Sequence, residues 1–404
     1  MKRLDLGLTE ALQLTLESIE PLAAETVNLI DCGDRVAASD IRALVDSPSM
    51  DTSRKDGYAA SYQEIAGASA ERPARLRVIG SMAAGGVGDI QLEPGSAVRV
   101  LTGARLPRGA DVVVAEEDTS PDGDYVIIHD LAESSKNILR RGSDVALHER
   151  LIQAGHRISP IMTGLLAAAG HSEVPVFRNP LAGIIGTGDE IVEPGKPLSE
   201  GKLYASNIVS LAGLCKRYKM TTRLAIVKDD PEAMFRAMQK MAAETDALIT
   251  SGGAWRGDRD LVAEVLERLG WKKIFHQIRI GPGKAVGFGL LEAKPVFILP
   301  GGPPSNLMGF LQIALPGLLA LGGQVNPGLP RINALLAADI EDGKASWTDF
   351  FYGTLDYGEG LPVFHPMAKR CRLNAIAQAK AVAMIPEGQD RLSAGAMISV
   401  QLLG

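Results

Sequence analysis

Cysteine is scarce in this 404-residue chain. Cys32, Cys215 and Cys371 stand far apart with no CxxC pair, which excludes a disulfide framework or a thiolate zinc site and fits a reducing cytoplasm. Positive charge is not in excess: 42 Lys and Arg face 48 Asp and Glu, for a net charge of -6. General attraction to nucleic acid or to an anionic membrane is therefore excluded, and any anionic ligand has to be met locally. The opening MKRLDLGLTE has no apolar signal core, and no run reaches the ~18 apolar residues that span a bilayer. A soluble intracellular protein is expected. The six histidines form no metal-ligand spacing, so His156, His171 and His276 read as structural or surface residues. There is no GxxxxGK(S/T) loop, no GxSxG elbow and no Cys/His nucleophile pair, and aromatic residues make up only 5%.

What the chain does have is glycine and proline, 44 and 23 residues, without a collagen-like period or a low-complexity tract. Many short elements are expected, divided among two to four domains at ~150 residues each. Leu12, Leu16 and Ile19 recur at helical spacing behind Thr9, a candidate cap, and a second helix is predicted at 160–169, ending at Gly170. Between them, 75–79, 97–101, 112–115 and 125–129 are short, rich in Val and Ile, and bounded by Gly, Pro and Asp, as strands are. The region from about 46 to 144 thus reads as a β-rich insertion in a helical unit that the chain leaves and re-enters.

From about 179 to 325 strands and helices alternate. Strands are expected at 181–185, 222–227, 247–250, up to Ile280, and at 296–299, and helices at 208–218, 231–243, 261–269 and 306–321. Such alternation argues for a parallel sheet covered by helices, with ligands beyond the carboxyl ends of the strands. The segment after about 326, with β-like pieces at 381–385 and 397–402, reads as a small β-barrel or sandwich.

Three loops of the alternating region follow apolar strands. Gly186-Thr187-Gly188-Asp189-Glu190 offers amides, a hydroxyl and two carboxylates. Thr250-Ser251-Gly252-Gly253 leads to Asp258 and Asp260, and Gly281-Pro282-Gly283-Lys284 adds a cation. One glycine turn is most often only a turn, but three at successive strand ends suggest a phosphate-handling mouth with carboxylates for a divalent cation. Asp229-Asp230-Pro231-Glu232 starts a helix; one aspartate is needed as its cap, and the other is free to face a ligand. Arg140-Arg141-Gly142-Ser143-Asp144 is either a solvated charge run or an anion contact beside a carboxylate.

As a set, these segments resemble one family. Asp51 to Ala59 is similar to its DNSAMDGYA segment, Leu101-Thr102-Gly103-Ala104 to MTGA, and Asn137 to Asp144 to NIRxxGED. Thr187 to Glu190, Ser251-Gly252-Gly253, Pro282-Gly283-Lys284 and Leu299-Pro300-Gly301 follow in its order. The chain resembles the MoeA and gephyrin E-domain family of molybdopterin molybdenumtransferases. The resemblance implies a multidomain α/β and β protein in four parts. These are an elongated helical domain (1–45 plus 145–178), a β-rich insertion (46–144), a MogA-like α/β molybdopterin-binding domain with a parallel-rich sheet (179–325) and a C-terminal β-barrel (326–404). It also implies a homodimer whose cleft lies between the α/β domain of one subunit and the insertion of the other.

The implied reaction is Mg²⁺-dependent insertion of molybdate into adenylylated molybdopterin, with release of AMP. In it Asp56, Asp144, Asp230, Asp260 and Lys284 would be catalytic, and Asp56, Asp144 and Glu190 would hold the metal. Thr102, Thr187, Gly188, Asp189, Glu190, Ser251, Gly252, Gly253, Pro300 and Gly301 would bind the substrate. This sequence departs from the pattern at several ligand-facing places. Trp255 replaces the second Ser of SGGxSxG, Gly281 the first Lys of KPGKP, Ala205 the Asp of YDTN and Tyr352 the Arg of FxRG; LPGNPVS becomes Leu299 to Ser305, and the GSH segment is altered near Lys369 to Arg372. Arg256, Arg259 and Arg372 are candidates to replace the lost lysine. The alternatives are a divergent paralogue that binds a pterin, nucleotide or partner without efficient catalysis, and an interaction scaffold.

Overall fold

The computed structural model describes residues 6–403 except 87, 130–134, 253–254, 257–258, 342 and 368–372, and only the backbone of 255, 256 and 259. The insertion forms a six-stranded sheet in the order Val112–Ala115, Gly57–Ala60, Ser96–Val100, Ala74–Met82, Tyr125–Ile128 and Thr119–Asp122. All its pairings are antiparallel except that of Ala74–Met82 with Ser96–Val100. Val112–Ala115 is buried throughout, as a β-branched run between two apolar faces should be.

In the alternating region a second six-stranded sheet runs Thr221–Val227, Leu181–Thr187, Ala247–Ser251, Lys294–Leu299, Gly287–Leu291, Lys272–His276. The first four strands are parallel and Gly287–Leu291 is antiparallel to both of its neighbours. Phe275, Phe288 and Phe297 stack across the last three strands at centroid distances of 5.7 and 5.2 Å. The expected strand up to Ile280 ends at His276, and Ile280–Gly281 joins a different sheet.

Helix starts follow side-chain chemistry. Asp230 accepts from the Ala233 amide at 2.7 Å and caps Pro231–Glu244, Asp260 accepts from Val262 and Ala263 and caps Leu261–Arg268, and Ser159 accepts from Met162 and caps Pro160–Ala168. Each cap satisfies amides that the first turn leaves without partners. Thr9 does not act in this way: Leu8–Glu17 begins at Gly7 with no side-chain cap.

Helical segments run without a break over Pro303–Leu321, through a wide turn at Phe310–Ala314, and this core helix is the one among the described residues long and apolar enough to cross a bilayer. Of its most apolar window, 83% is buried inside the protein. Leu8–Glu17 packs on it, so the first helix belongs to the α/β core and not to the split unit. The reason is its buried face, Ala11 and Thr15 with Leu12 and Leu14 alongside, which matches the apolar surface of Pro303–Leu321. The split unit is accordingly less helical than expected. Its described residues hold Pro160–Ala168 and antiparallel ladders, Ala24–Asn28 with Glu173–Phe177 and Ile41–Arg42 with Arg150–Ile152, because Val174 and Val176 alternate inward at strand spacing.

The C-terminal strands Thr348–Asp356, Val363–Pro366, Arg331–Leu336, Met397–Leu402 and Ala381–Ile385 close into a five-stranded barrel, since the first also pairs with the last. Ile280–Gly281 adds to its rim beside Thr348–Asp349. The barrel shares a core with the α/β unit. Buried Gln312 and Gln401 exchange amide hydrogen bonds of 2.6 and 3.2 Å, and buried Tyr352 donates to the Pro304 carbonyl at 3.1 Å. Burial pushes the Tyr352 phenol far up, so it stays a neutral donor. The departure at Tyr352 is thereby explained as a structural bond between barrel and helix.

Candidate functional site

Parallel strands that end together leave a crevice at their carboxyl ends. Here Leu181–Thr187, Ala247–Ser251 and Lys294–Leu299 deliver the loops at 186–190, 251–252 and 300–303 to one cavity of about 120 Å³, closed on its fourth side by 203–208. Thr187, Glu190, Ser206, Asn207, Ser251 and Gly252 are among its lining. Gly252 is what lets the first two loops meet. Its φ is +99°, and a Cβ there would sit 2.5 Å from the Thr187 carbonyl oxygen, a backbone atom that cannot rotate away.

The hydrogen bonds of this crevice alter the reading of an amide cradle. The Gly188 amide donates to the Val227 carbonyl at 3.2 Å and the Gly252 amide to the Leu299 carbonyl at 3.1 Å, so neither is offered to an anion. Pro300 and Gly301 are tied as acceptors: Asn306 Nδ2 donates to Pro300 O at 2.8 Å and to Ser251 Oγ at 2.9 Å, and Asn207 Nδ2 donates to Gly301 O at 2.8 Å. The Asp189 carboxylate accepts from the Asp229 amide, and Lys202 Nζ donates to the Asp189 carbonyl. Thr187 Oγ1 is buried with no hydrogen-bond partner among the described residues. Glu190 is the one charged residue among those lining the cavity. A carboxylate with hydroxyls around it suits a ring bearing N–H donors better than it suits a phosphate.

The remaining expected residues are dispersed. Asp56 accepts from the Thr102 amide at 2.7 Å and hydroxyl at 2.8 Å, and these bonds hold its carboxyl below the usual carboxylate range. The two lie in a shallow surface depression with Lys55, Glu116 and Glu117, apart from the crevice. Exposed Asp144 donates its amide to the Ser47 carbonyl, at the other end of the 47–56 segment from Asp56.

Asp230 and Asp260 are helix caps, and Asp260 Oδ2 also lies 3.3 Å from Nε2 of His276. Exposed Lys284 does not line the crevice; its Nζ stands 5.8 Å from the centroid of the Trp347 ring. Among the described residues no three histidine, cysteine or carboxylate side chains converge as a metal site, so one chain does not assemble Asp56, Asp144 and Glu190. Gly253, Asp258, Arg372 and the side chains of Trp255, Arg256 and Arg259 lie outside the described residues. Ser206, Asn207 and Asn306 were not singled out as site residues. The signal for Asn306 was its polarity inside an apolar helix, where it is 2% exposed.

Residues 6–170 match the family model of the MoeA N-terminal region (domain I and II), and residues 183–320 that of a probable molybdopterin binding domain. A molybdopterin molybdenumtransferase of Synechococcus elongatus is 32% identical over 98% of this chain and 100% of its own length. One from a Nostoc species is 31% identical over 92% and 87%. The solved molybdopterin biosynthesis MoeA protein from Pyrococcus horikoshii superposes with a TM-score of 0.82 at 31% identity, covering 99% of both chains.

Proposed function

Since the chain belongs to the molybdopterin molybdenumtransferase family, enzymes of molybdenum cofactor biosynthesis, we propose that it inserts molybdate into adenylylated molybdopterin and releases AMP. The observation that carries this reading is the crevice at the strand ends, with the buried, unpartnered Thr187 hydroxyl and the Glu190 carboxylate in its lining. Burying a hydroxyl without a partner costs about 1 to 3 kcal/mol, so a ligand that bonds to Thr187 recovers that cost on binding. At about 120 Å³ the crevice is smaller than the ~300 Å³ at which ligand sites begin. It seats one end of the substrate, and the pterin end matches its donors and acceptors.

The other end needs partners that the crevice lacks. A homodimer would bring Asp56 and Thr102 of one copy toward the crevice of the other. Exposed apolar side chains on the split unit support a second copy: Leu44, Val45 and Leu147 cluster beside Asp46, which accepts from the Leu147 amide, and Ile30 is 95% exposed. Mg²⁺ enters only as a component of the assay. Among the described residues of one chain no three such side chains converge on a metal site.

Purified chain, adenylylated molybdopterin, molybdate and Mg²⁺ should release AMP. A folded chain, dimeric by light scattering, that releases none would refute the proposal. One observation favours a second reading, binding without efficient transfer: Ala205, in the place of the family's acid, lines the crevice as an apolar residue. Calorimetric binding of the substrate with no AMP released is the result that would select it.

A further inference from the structure

His276 ends the strand Lys272–His276, and the chain around it is shaped to seat an imidazole. Its ladder partner is Gly287, where a Cβ would lie 2.8 Å from His276 Cδ2 and 3.3 Å from Ile298 Cβ, so the ring lies over a position that only glycine leaves open. The next residue, Gln277, has a φ of +73°, an uncommon backbone for a residue other than glycine. Its amide donates to the Val286 carbonyl at 2.9 Å, which ties this turn to the segment leading into Gly287.

The ring faces a carboxylate. His276 Nε2 stands 3.3 Å from Asp260 Oδ2, and the two side chains are 14% and 8% exposed, so solvent ions screen the contact little. The contact lies off the line of a full hydrogen bond, and Nε2 has no hydrogen-bond partner among the described residues. Asp260 Oδ1 is engaged by the amides of Val262 and Ala263 at 3.0 and 3.4 Å, which leaves Oδ2 for His276. Long contacts of this kind tighten when a ligand seats. The helix Leu261–Arg268 does not depend on the pair for its place, because Leu261, Val262, Val265 and Leu266 are buried in the core. What the pair fixes is the residue before the helix. The backbone of Asp260 is laddered to Trp255, in a strand that follows the crevice residues Ser251 and Gly252 along the chain.

We propose that His276 is a positioning residue, which holds Asp260 and through it the chain that forms the Ser251–Gly252 wall of the crevice. The proposal rests on the function proposed above and adds to it a residue outside the crevice lining. His276 transfers no proton in this role; it donates a hydrogen bond to a carboxylate that already caps a helix. With that carboxylate fixed, the wall meets the ligand already placed, and less order has to be imposed on binding. The effect therefore falls on KM and not on kcat.

The test compares His276→Leu, His276→Gln and Gly287→Ala with the natural chain in the AMP-release assay, with calorimetric titration of adenylylated molybdopterin and thermal unfolding in parallel. Leucine fills the space without a donor, glutamine offers an amide N–H in the place of Nε2, and Gly287→Ala keeps the histidine but displaces its ring. His276→Leu and Gly287→Ala should raise KM and the calorimetric Kd about three- to tenfold, with kcat within about twofold. His276→Gln should bring both constants back near their natural values. An unchanged KM in His276→Leu, or a rise that glutamine does not reverse, overturns the inference whatever the unfolding temperature does. Side-chain ¹⁵N spectra of the histidines give a readout apart from activity: Asp260→Asn should move the His276 Nε2 resonance, and an unmoved resonance overturns the pairing. AMP release with the same KM in every variant keeps the function and removes the inference. Substrate binding that weakens in His276→Leu, with no AMP released by the natural chain, does the reverse.

Discussion

The substitution Gly→Ala is expected to have opposite signs at two glycines of the α/β unit. At Gly252 the φ of +99° already disfavours an L side chain, at about 1 to 2 kcal/mol. The added methyl would also lie 2.5 Å from the Thr187 carbonyl oxygen. Since that atom belongs to a strand of the central sheet, the two loops must separate, at a further cost of about 1 to 3 kcal/mol. Gly252→Ala should therefore lose about 2 to 5 kcal/mol of stability. Gly213 is exposed in the helix Ser206–Arg217, and a Cβ there meets nothing within 4 Å. Gly213→Ala should stabilise by about 0.5 to 1 kcal/mol, because alanine has less backbone freedom to lose. Urea unfolding of both variants, together with kcat/KM for AMP release, reads the outcome. Parting of the loops widens the crevice, so Gly252→Ala should also raise KM, while Gly213→Ala leaves it unchanged. If the two variants shift the midpoint in the same direction, or if Gly252→Ala keeps both stability and kcat/KM, the claim that the loops meet at Gly252 is wrong.

Thr187→Val removes a buried hydroxyl that has no partner. Stability should hold or rise by about 1 kcal/mol, while KM for the pterin substrate increases several-fold; a clear loss of stability would mean that the hydroxyl is already bonded. Asp230→Asn keeps an N-cap acceptor and should release AMP at close to the natural rate, whereas Asp230→Ala loses about 1 kcal/mol by thermal unfolding. Abolished turnover in a fully stable Asp230→Asn would show that the residue is catalytic as well as a cap. The depressed Asp56 carboxyl contributes stability above its unfolded value, and that contribution is lost as pH falls through the folded one. Thr102→Val removes the hydroxyl bond and keeps the larger contribution of the amide bond, so an NMR titration should find the Asp56 pKa moved up yet still below the usual carboxylate range.

Much of the fold was legible where a local rule coincided with burial. Val112–Ala115, Ala381–Ile385 and Met397–Leu402 are apolar or alternating β-branched runs, and Asp230-Pro231 announces a helix through cap and ring geometry together. Errors arose where distant partners decide. Ile280–Gly281 reads as the end of a strand in the α/β sheet, but its ladder partner is Thr348–Asp349, which no local signal reveals. Closure of the barrel depends likewise on Thr348–Asp356 meeting Ala381–Ile385 across the sequence.

At the site, glycine-rich loops after apolar strands correctly pointed to one crevice for 186–190 and 251–252, but the third loop faces the barrel. Glycine was read as amide access. At Gly252 its role is close approach of two backbones, a distinction that lies in three dimensions and not in the residue type. Acids were read as ligands, and Asp230 and Asp260 show how often a helix start claims them first.

The insertion leaves and rejoins its host through one doorway. Ser47 and Val145 form an antiparallel bridge, the Gly142 amide donates to the Pro48 carbonyl at 2.9 Å, and Arg141 pairs with Asp46 at 2.6 Å. Ends this close mean that the intervening sheet could be excised and replaced by a short turn without stretching the host. Because the entropy of closing a loop grows only as the logarithm of its length, an appended sheet of any size is tolerated there almost equally. The doorway makes the insertion a cassette: its acids can diversify, lengthen or be exchanged while the split unit and the crevice keep their own packing.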